Sequence, residues 1–137
     1  MNRREARELL FTLVFEYDFK KNEDYSAVYA EALLNRDEIE DDEFVKNNFE
    51  GIIVNLEEID KNIADHASGW RLSRLSRVSL AAMRVAVYEI LYCDDIPVNV
   101  SINEAIELVK KYDEGKTPKF VNGVLNSVAK SRRGENG

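Results

Sequence analysis

Six apolar residues between positions 45 and 63 constrain this chain more than any other feature. Val45, Phe49, Ile52, Leu56, Ile59 and Ile63 are separated by 4, 3, 4, 3 and 4 positions. That alternation keeps one face of a 3.6-residue helix apolar and is incompatible with the two-residue period of a strand. The spacing predicts one long amphipathic helix over residues 43–66, packed at a shallow angle in a bundle. Glu50, Glu57, Glu58 and Asp60 fall on its outer face, and Ser68-Gly69 breaks it.

The remaining segments read the same way. Residues 3–19 predict a first helix, with Asn2 and Glu5 as its cap. Ala6, Leu9, Leu10, Leu13, Val14 and Tyr17 make its stripe, and Phe11, Phe15 and Phe19 widen that stripe beyond a single seam. Residues 25–34 predict a second helix behind Asp24, followed by an acidic connection, NRDEIEDDE. Trp70, Leu72 and Leu75 anchor a short helical turn, after which Ser76 caps a helix running to about Tyr92. That helix has an apolar inner stripe and a smaller outer face holding Arg77, Ser79 and Ala82. Arg84 lies within its apolar part, which predicts a partly buried guanidinium held by a carboxylate or by helix-end carbonyls. With two prolines, six glycines and no convincing strand, the chain is expected to be a single all-α domain over residues 1–137. Its helices number six or seven.

The C-terminal stretch is the most sharply punctuated. Pro97-Val98-Asn99-Val100 is expected to be extended. Ser101 and Glu104 then stand three apart before an apolar run, the spacing of a capping box, with Val100 and Ala105 as the staple. Ala105, Ile106, Leu108, Val109 and Tyr112 form the stripe that follows. After the connection DEGKTPK, in which Gly115 suits a turn, Thr117-Pro118 reads as an N-cap with proline at the first helical position. Phe120, Val121, Val124, Leu125 and Val128 complete a last stripe. Gly123 inside it costs roughly 1 kcal/mol against alanine, which suggests close approach by another helix or a ligand.

Charge narrows the function classes. The net charge of −7 argues against indiscriminate nucleic-acid binding. Residues 35–65 alone carry eleven acids against three bases, so the rest of the chain sums to +1. Residues 1–7 hold three arginines and one acid, and residues 115–137 hold five bases and one acid. Two basic ends flank an acidic middle, which permits a local anionic ligand. Arg3, Arg4 and Arg7 share one helix end by i, i+3 and i+4 spacing. By residue type alone they are either a solvated helix end or an anion site, and they oppose the helix dipole in both cases. The single cysteine, Cys93, forms no internal disulfide, which with the charged N-terminus fits a cytoplasmic protein. No apolar run approaches the length of a membrane span. One histidine, His66, has no second histidine or cysteine nearby, so no metal or other cofactor is expected. No phosphate loop or nucleophile motif occurs, which makes binding a better reading than catalysis.

VNVSINEAIELVKKY followed by KFVNGVLN resembles the C-terminal signature of the NusB family of antitermination and ribosomal-RNA transcription factors. REARELLFTLVFEYDF resembles that family's arginine-bearing first helix, and W-x-L-x-R-L at Trp70–Leu75 with MRVAVYEIL resembles its central signature. The order and spacing of these pieces carry the resemblance across nearly the whole chain. It implies two small helical bundles packed together and no enzymatic activity. It also implies binding of single-stranded boxA RNA together with NusE, a small ribosomal subunit protein, within the transcription elongation complex.

By position, the resemblance makes Arg3, Arg4, Arg7, Lys119 and Phe120 the RNA contacts. Cations for phosphates and a ring for an unstacked base suit single-stranded RNA. These groups are expected to converge at one end of the first helix. The partner surface would use Phe15, Arg77, Ser79 and Ala82. Glu5 interrupts the arginine cluster, Phe15 replaces a tyrosine common among relatives, and Ser79 replaces an acid found in some. The competing reading is an all-helical adaptor or homodimer that does not touch RNA, supported by the negative net charge and the wide apolar face of the first helix.

Overall fold

The computed structural model describes residues 1–20, 23–34, 42–113 and 117–136. Seven α-helices lie within them: α1 (Arg3–Tyr17), α2 (Tyr25–Leu34), α3 (Glu43–Val54), α4 (Leu56–His66), α5 (Arg77–Tyr92), α6 (Val98–Tyr112) and α7 (Thr117–Asn136). A single 3₁₀ turn, Leu72–Arg74, stands before α5, and no strand occurs among the described residues. None of the described helices is long and apolar enough to cross a membrane. The all-α expectation holds. The acidic connection at 35–41 and Gly115 lie outside the described residues.

The helices form two groups. α1, α2 and α3 pack on one another, and α4, α5, α6 and α7 do the same. The seam between the groups is mainly α1 against α5. α5 touches α1, α3, α4, α6 and α7, so every residue from Ser79 to Val87 is buried. Arg84 fastens the seam. It is 3% exposed and donates to both oxygens of Asp60 on α4 at 2.8 Å, and to Asp18 after α1 at 3.0 Å. Burial alone would lower its pKa; Asp60 first and Asp18 second outweigh that and raise it. A bidentate buried pair of this kind is destabilising unless both partners are present.

Local rules explain most boundaries. Asn2 accepts from the Glu5 backbone at 2.8 Å, and the Glu5 carboxylate accepts from the Asn2 backbone at 3.2 Å, a complete capping box. Ser76 caps α5 by accepting from the Ser79 backbone at 3.0 Å. Ser68 and Gly69, with φ of 40° and 84°, turn the chain away from α4.

Four expectations fail, each for a tertiary or local competing reason. The long helix over 43–66 is broken at Asn55, whose amide donates to the Gly51 carbonyl at 2.8 Å. The stripe survives the bend: Val45, Phe49, Ile52, Ile59 and Ile63 are buried, while Leu56 at the corner is half-buried. α6 begins at Val98 rather than after Ser101: Pro97, extended at φ −60° and ψ 136°, stands at the N-cap, and its carbonyl accepts from the Ser101 backbone at 3.3 Å. Ser101 and Glu104 are therefore not a capping box; Ser101 is buried and donates to Glu89 at 2.7 Å. Gly123 is exposed, and nothing stands within 4 Å of where a Cβ would lie, so no helix approaches it. The outer face expected on α5 is absent, since Ser79 and Ala82 are 1% and 0% exposed.

Candidate nucleic-acid and partner interface

The N-terminal end of α1 separates its three arginines into different roles. Arg3 is exposed and its guanidinium sits 3.9 Å from the centre of the Phe44 ring. Arg4, with 72% of its side chain exposed, reaches Glu104 on α6 at 3.2 Å. Arg7 is buried, and its Nε donates to Glu89 on α5 at 2.8 Å. The Glu5 that interrupts the cluster is the helix cap described above. One turn on, Glu8 accepts from Lys111 at 2.7 Å and from the Tyr112 hydroxyl. These hydrogen bonds hold the Glu8 carboxyl below its ordinary pKa. Arg3 and Arg4 stay at the surface, Arg4 held by Glu104; Arg7 belongs to the core.

Lys119 and Phe120 open α7 at the other end of the molecule. Phe120 is half-buried and meets Trp70 edge-to-face, ring centres 6.0 Å apart. Together with Arg74, Leu75, Ser76 and Thr117 the two rings line an apolar cleft of about 240 Å³. Arg7 pairs with Glu89, while this cleft lies against Ser76 and Ser79. Ten residues of α5 separate Ser79 from Glu89, about 15 Å of helix. The expected convergence of Arg3, Arg4 and Arg7 with Lys119 and Phe120 is thus not found. The chain runs antiparallel along the seam, so the first turn of α1 faces the last turns of α5, and α7 starts by the first.

Trp70 and Arg74 line this cleft and were not among the expected site residues. The sequence signal was the pair of arginines in WRLSRLS, but a tryptophan beside leucines reads as an anchor. In the structure Trp70 is 54% exposed. Arg74 is exposed as well.

On the partner side, Phe15 is half-buried and edge-to-face with Phe19, which is 66% exposed. Arg77 donates to Asp18 at 2.6 Å and keeps 48% of its side chain exposed. Phe15 lies one turn before Asp18 and Phe19. An exposed aromatic and cationic edge therefore remains at Phe15, Phe19 and Arg77, without Ser79 and Ala82. Among the described residues no group of side chains could hold a metal ion, and His66 Nδ1 faces the Asn62 carbonyl at 2.8 Å.

Seven helices with no strand among the described residues define the class: an all-α protein. The NusB family model matches residues 4–130. Transcription antitermination protein NusB of Clostridium novyi is 42% identical over 134 residues, covering 96% of this chain and all of that protein. The NusB structure from T. maritima superposes with a TM-score of 0.85 at 36% identity, covering 95% of this chain and 92% of that one. A crystal structure of antitermination factors NusB and NusE in complex with double-stranded RNA superposes with a TM-score of 0.82 at 28% identity, covering 94% of this chain and 96% of that one. The chain belongs to the NusB family, a family of non-enzymatic transcription antitermination factors.

Proposed function

We propose that this chain, acting as one cytoplasmic domain, pairs with NusE and binds single-stranded boxA-type RNA to keep ribosomal-RNA transcription processive within the elongation complex. The observation that carries this reading is the likeness, over nearly the full chain, to a NusB solved with NusE and RNA. The chain's own residues support it. Lys119, Trp70, Phe120 and Arg74 put cations beside rings, the combination that takes unstacked bases and their phosphates. Arg3 and Arg4 form a second, separate cationic site. Phe15 and Arg77, with Phe19, form the edge offered to NusE.

A second reading, an adaptor or homodimer without RNA, is favoured by the net charge of −7 and the exposed Phe19. Titration of a labelled boxA-like strand at two salt concentrations, with and without NusE, separates the two. Phosphate contacts give affinity that falls steeply with salt. Binding that needs NusE and weakens with salt supports the first reading. No RNA binding, with a dimer by light scattering, supports the second.

A further inference from the structure

We infer that the groove between α6 and α7 is a base-reading track for single-stranded RNA, running from Lys119 to Lys130; the inference rests on the RNA-binding reading above. At 3.6 residues per turn, Lys119, Asn122, Gly123, Asn126 and Lys130 fall within a sector of about 100° on α7. All five are exposed. The two lysines bracket the stripe at about 16 Å. Neither makes an ion pair among the described residues. Across a cleft of about 180 Å³ stand Asn99 and Asn103 of α6, over a floor that includes Ile102 and Ala129. No carboxylate is among the described residues that line it. Glu107, next on that face of α6, pairs with Lys110 at 3.8 Å.

The residue types point to a ligand rather than to helix stability. Asparagine and glycine are poor helix formers, yet Asn122, Gly123 and Asn126 occupy the interior of a 20-residue helix. Asn126 donates to the Asn122 carbonyl at 2.8 Å and to its side-chain oxygen at 3.0 Å. That contact holds the Asn122 side-chain oxygen, and Asn122 itself stays exposed. Asn99 and Asn103 have no side-chain hydrogen bond among the described residues. Gly123 leaves open space where a side chain would stand, so a base or backbone can approach α7 closely. Amides read base edges: an asparagine Nδ2 donates to adenine N7 while its Oδ1 accepts from the adenine N6 amino group. Lysines at either end neutralise phosphates. Lys119, at the start of the stripe, adjoins Phe120, whose ring meets Trp70. The absence of carboxylates along the groove favours a polyanion over a basic peptide.

The test uses the full chain with NusE and fluorescence anisotropy of two labelled 12-mers, one of mixed sequence containing adenines and one of uridines only, at two salt concentrations. Lys130→Ala is expected to reduce the salt slope by about 0.7 on both strands, the contribution of one single-strand phosphate contact. Asn122→Ala with Asn103→Ala is expected to lower affinity for the mixed strand about ten-fold and for the uridine strand less. Gly123→Leu is expected to weaken both by filling the open space. Circular dichroism melts of these surface variants should show no loss of stability, since alanine and leucine favour a helix over asparagine and glycine. If the parent binds RNA and Phe120→Ala weakens it while the Lys130, Asn122 with Asn103, and Gly123 variants bind normally, the groove assignment alone is overturned. If the parent binds neither strand, the RNA-binding reading falls and the groove with it. Salt-sensitive binding of a polyglutamate peptide that Lys130→Ala abolishes, with RNA affinity unchanged, would assign the groove to an acidic protein instead.

Discussion

Arg7 of α1 and Glu89 of α5 meet at 2.8 Å, with 7% and 1% of their side chains exposed. Glu89 uses its other oxygen to accept from Ser101 of α6 at 2.7 Å. One carboxylate thus ties three helices from both halves of the fold together. Arg7→Ala would leave Glu89 buried without its charge partner, a loss of about 3–5 kcal/mol. Urea unfolding monitored by circular dichroism measures it. Arg4→Ala, at an exposed pair, should leave the midpoint nearly unchanged. A loss of RNA binding by an Arg7 variant therefore reports folding unless stability is measured beside it.

Ala82 has no exposed surface, so Ala82→Glu places a charge among packed side chains and should destabilise by about 3 kcal/mol or more. Phe19→Ser, at 66% exposure, should leave the melting curve unchanged and weaken NusE binding by isothermal titration. Normal NusE affinity in that variant would move the partner surface off the C-terminal end of α1.

Gly51 and Gly123 should respond in opposite directions to alanine. A Cβ at Gly51 would collide with the hydroxyl and ring of Tyr88, whereas at Gly123 it would meet open space. Gly123→Ala should stabilise by about 0.5–1 kcal/mol. Gly51→Ala should destabilise by about 1–3 kcal/mol, and Tyr88→Ala in the same chain should recover part of that. A double-mutant cycle in urea gives both numbers.

The bend at Asn55 sets a similar contrast. Ile59→Ala, on the buried stripe, should cost about 2–5 kcal/mol, and Leu56→Ala, half-buried at the corner, should cost less. Equal losses would mean that the corner packs as tightly as the helix below it.

Cys93 is pushed up to about 11, first by burial and then by Glu89, Asp95 and Asp94. At pH 8 its thiolate fraction is on the order of 10²-fold below that of an ordinary cysteine. Alkylation by iodoacetamide should be slow at pH 8 and should keep accelerating up to pH 10. A rate that levels off near pH 9 would contradict this environment.

The sequence by itself determined what depends on near neighbours along the chain. Helix faces follow from a 3.6-residue period, so the stripes of α1, α3, α4, α5 and α7 were legible. Caps follow from residues three apart, so Asn2 with Glu5 and Ser76 were legible too. A guanidinium among apolar residues must find a carboxylate, and Arg84 finds Asp60 and Asp18. Tertiary structure decided everything that depends on which helices become neighbours. Ser79 and Ala82 are small, and on a helix wheel a small residue reads equally as surface or as the floor of a close helix contact. Only the packing of five helices around α5 made them buried. Ser101 and Glu104 have capping-box spacing, yet their side chains went to Glu89 and Arg4 because those partners came within reach across the fold. Arg7 went inside while Arg3 and Arg4 stayed out, since only Arg7 faces α5. Phe120 was placed far from Arg3 for the same reason. The direction in which α1 and α5 run past each other is a property of the assembled helices, and no local spacing encodes it.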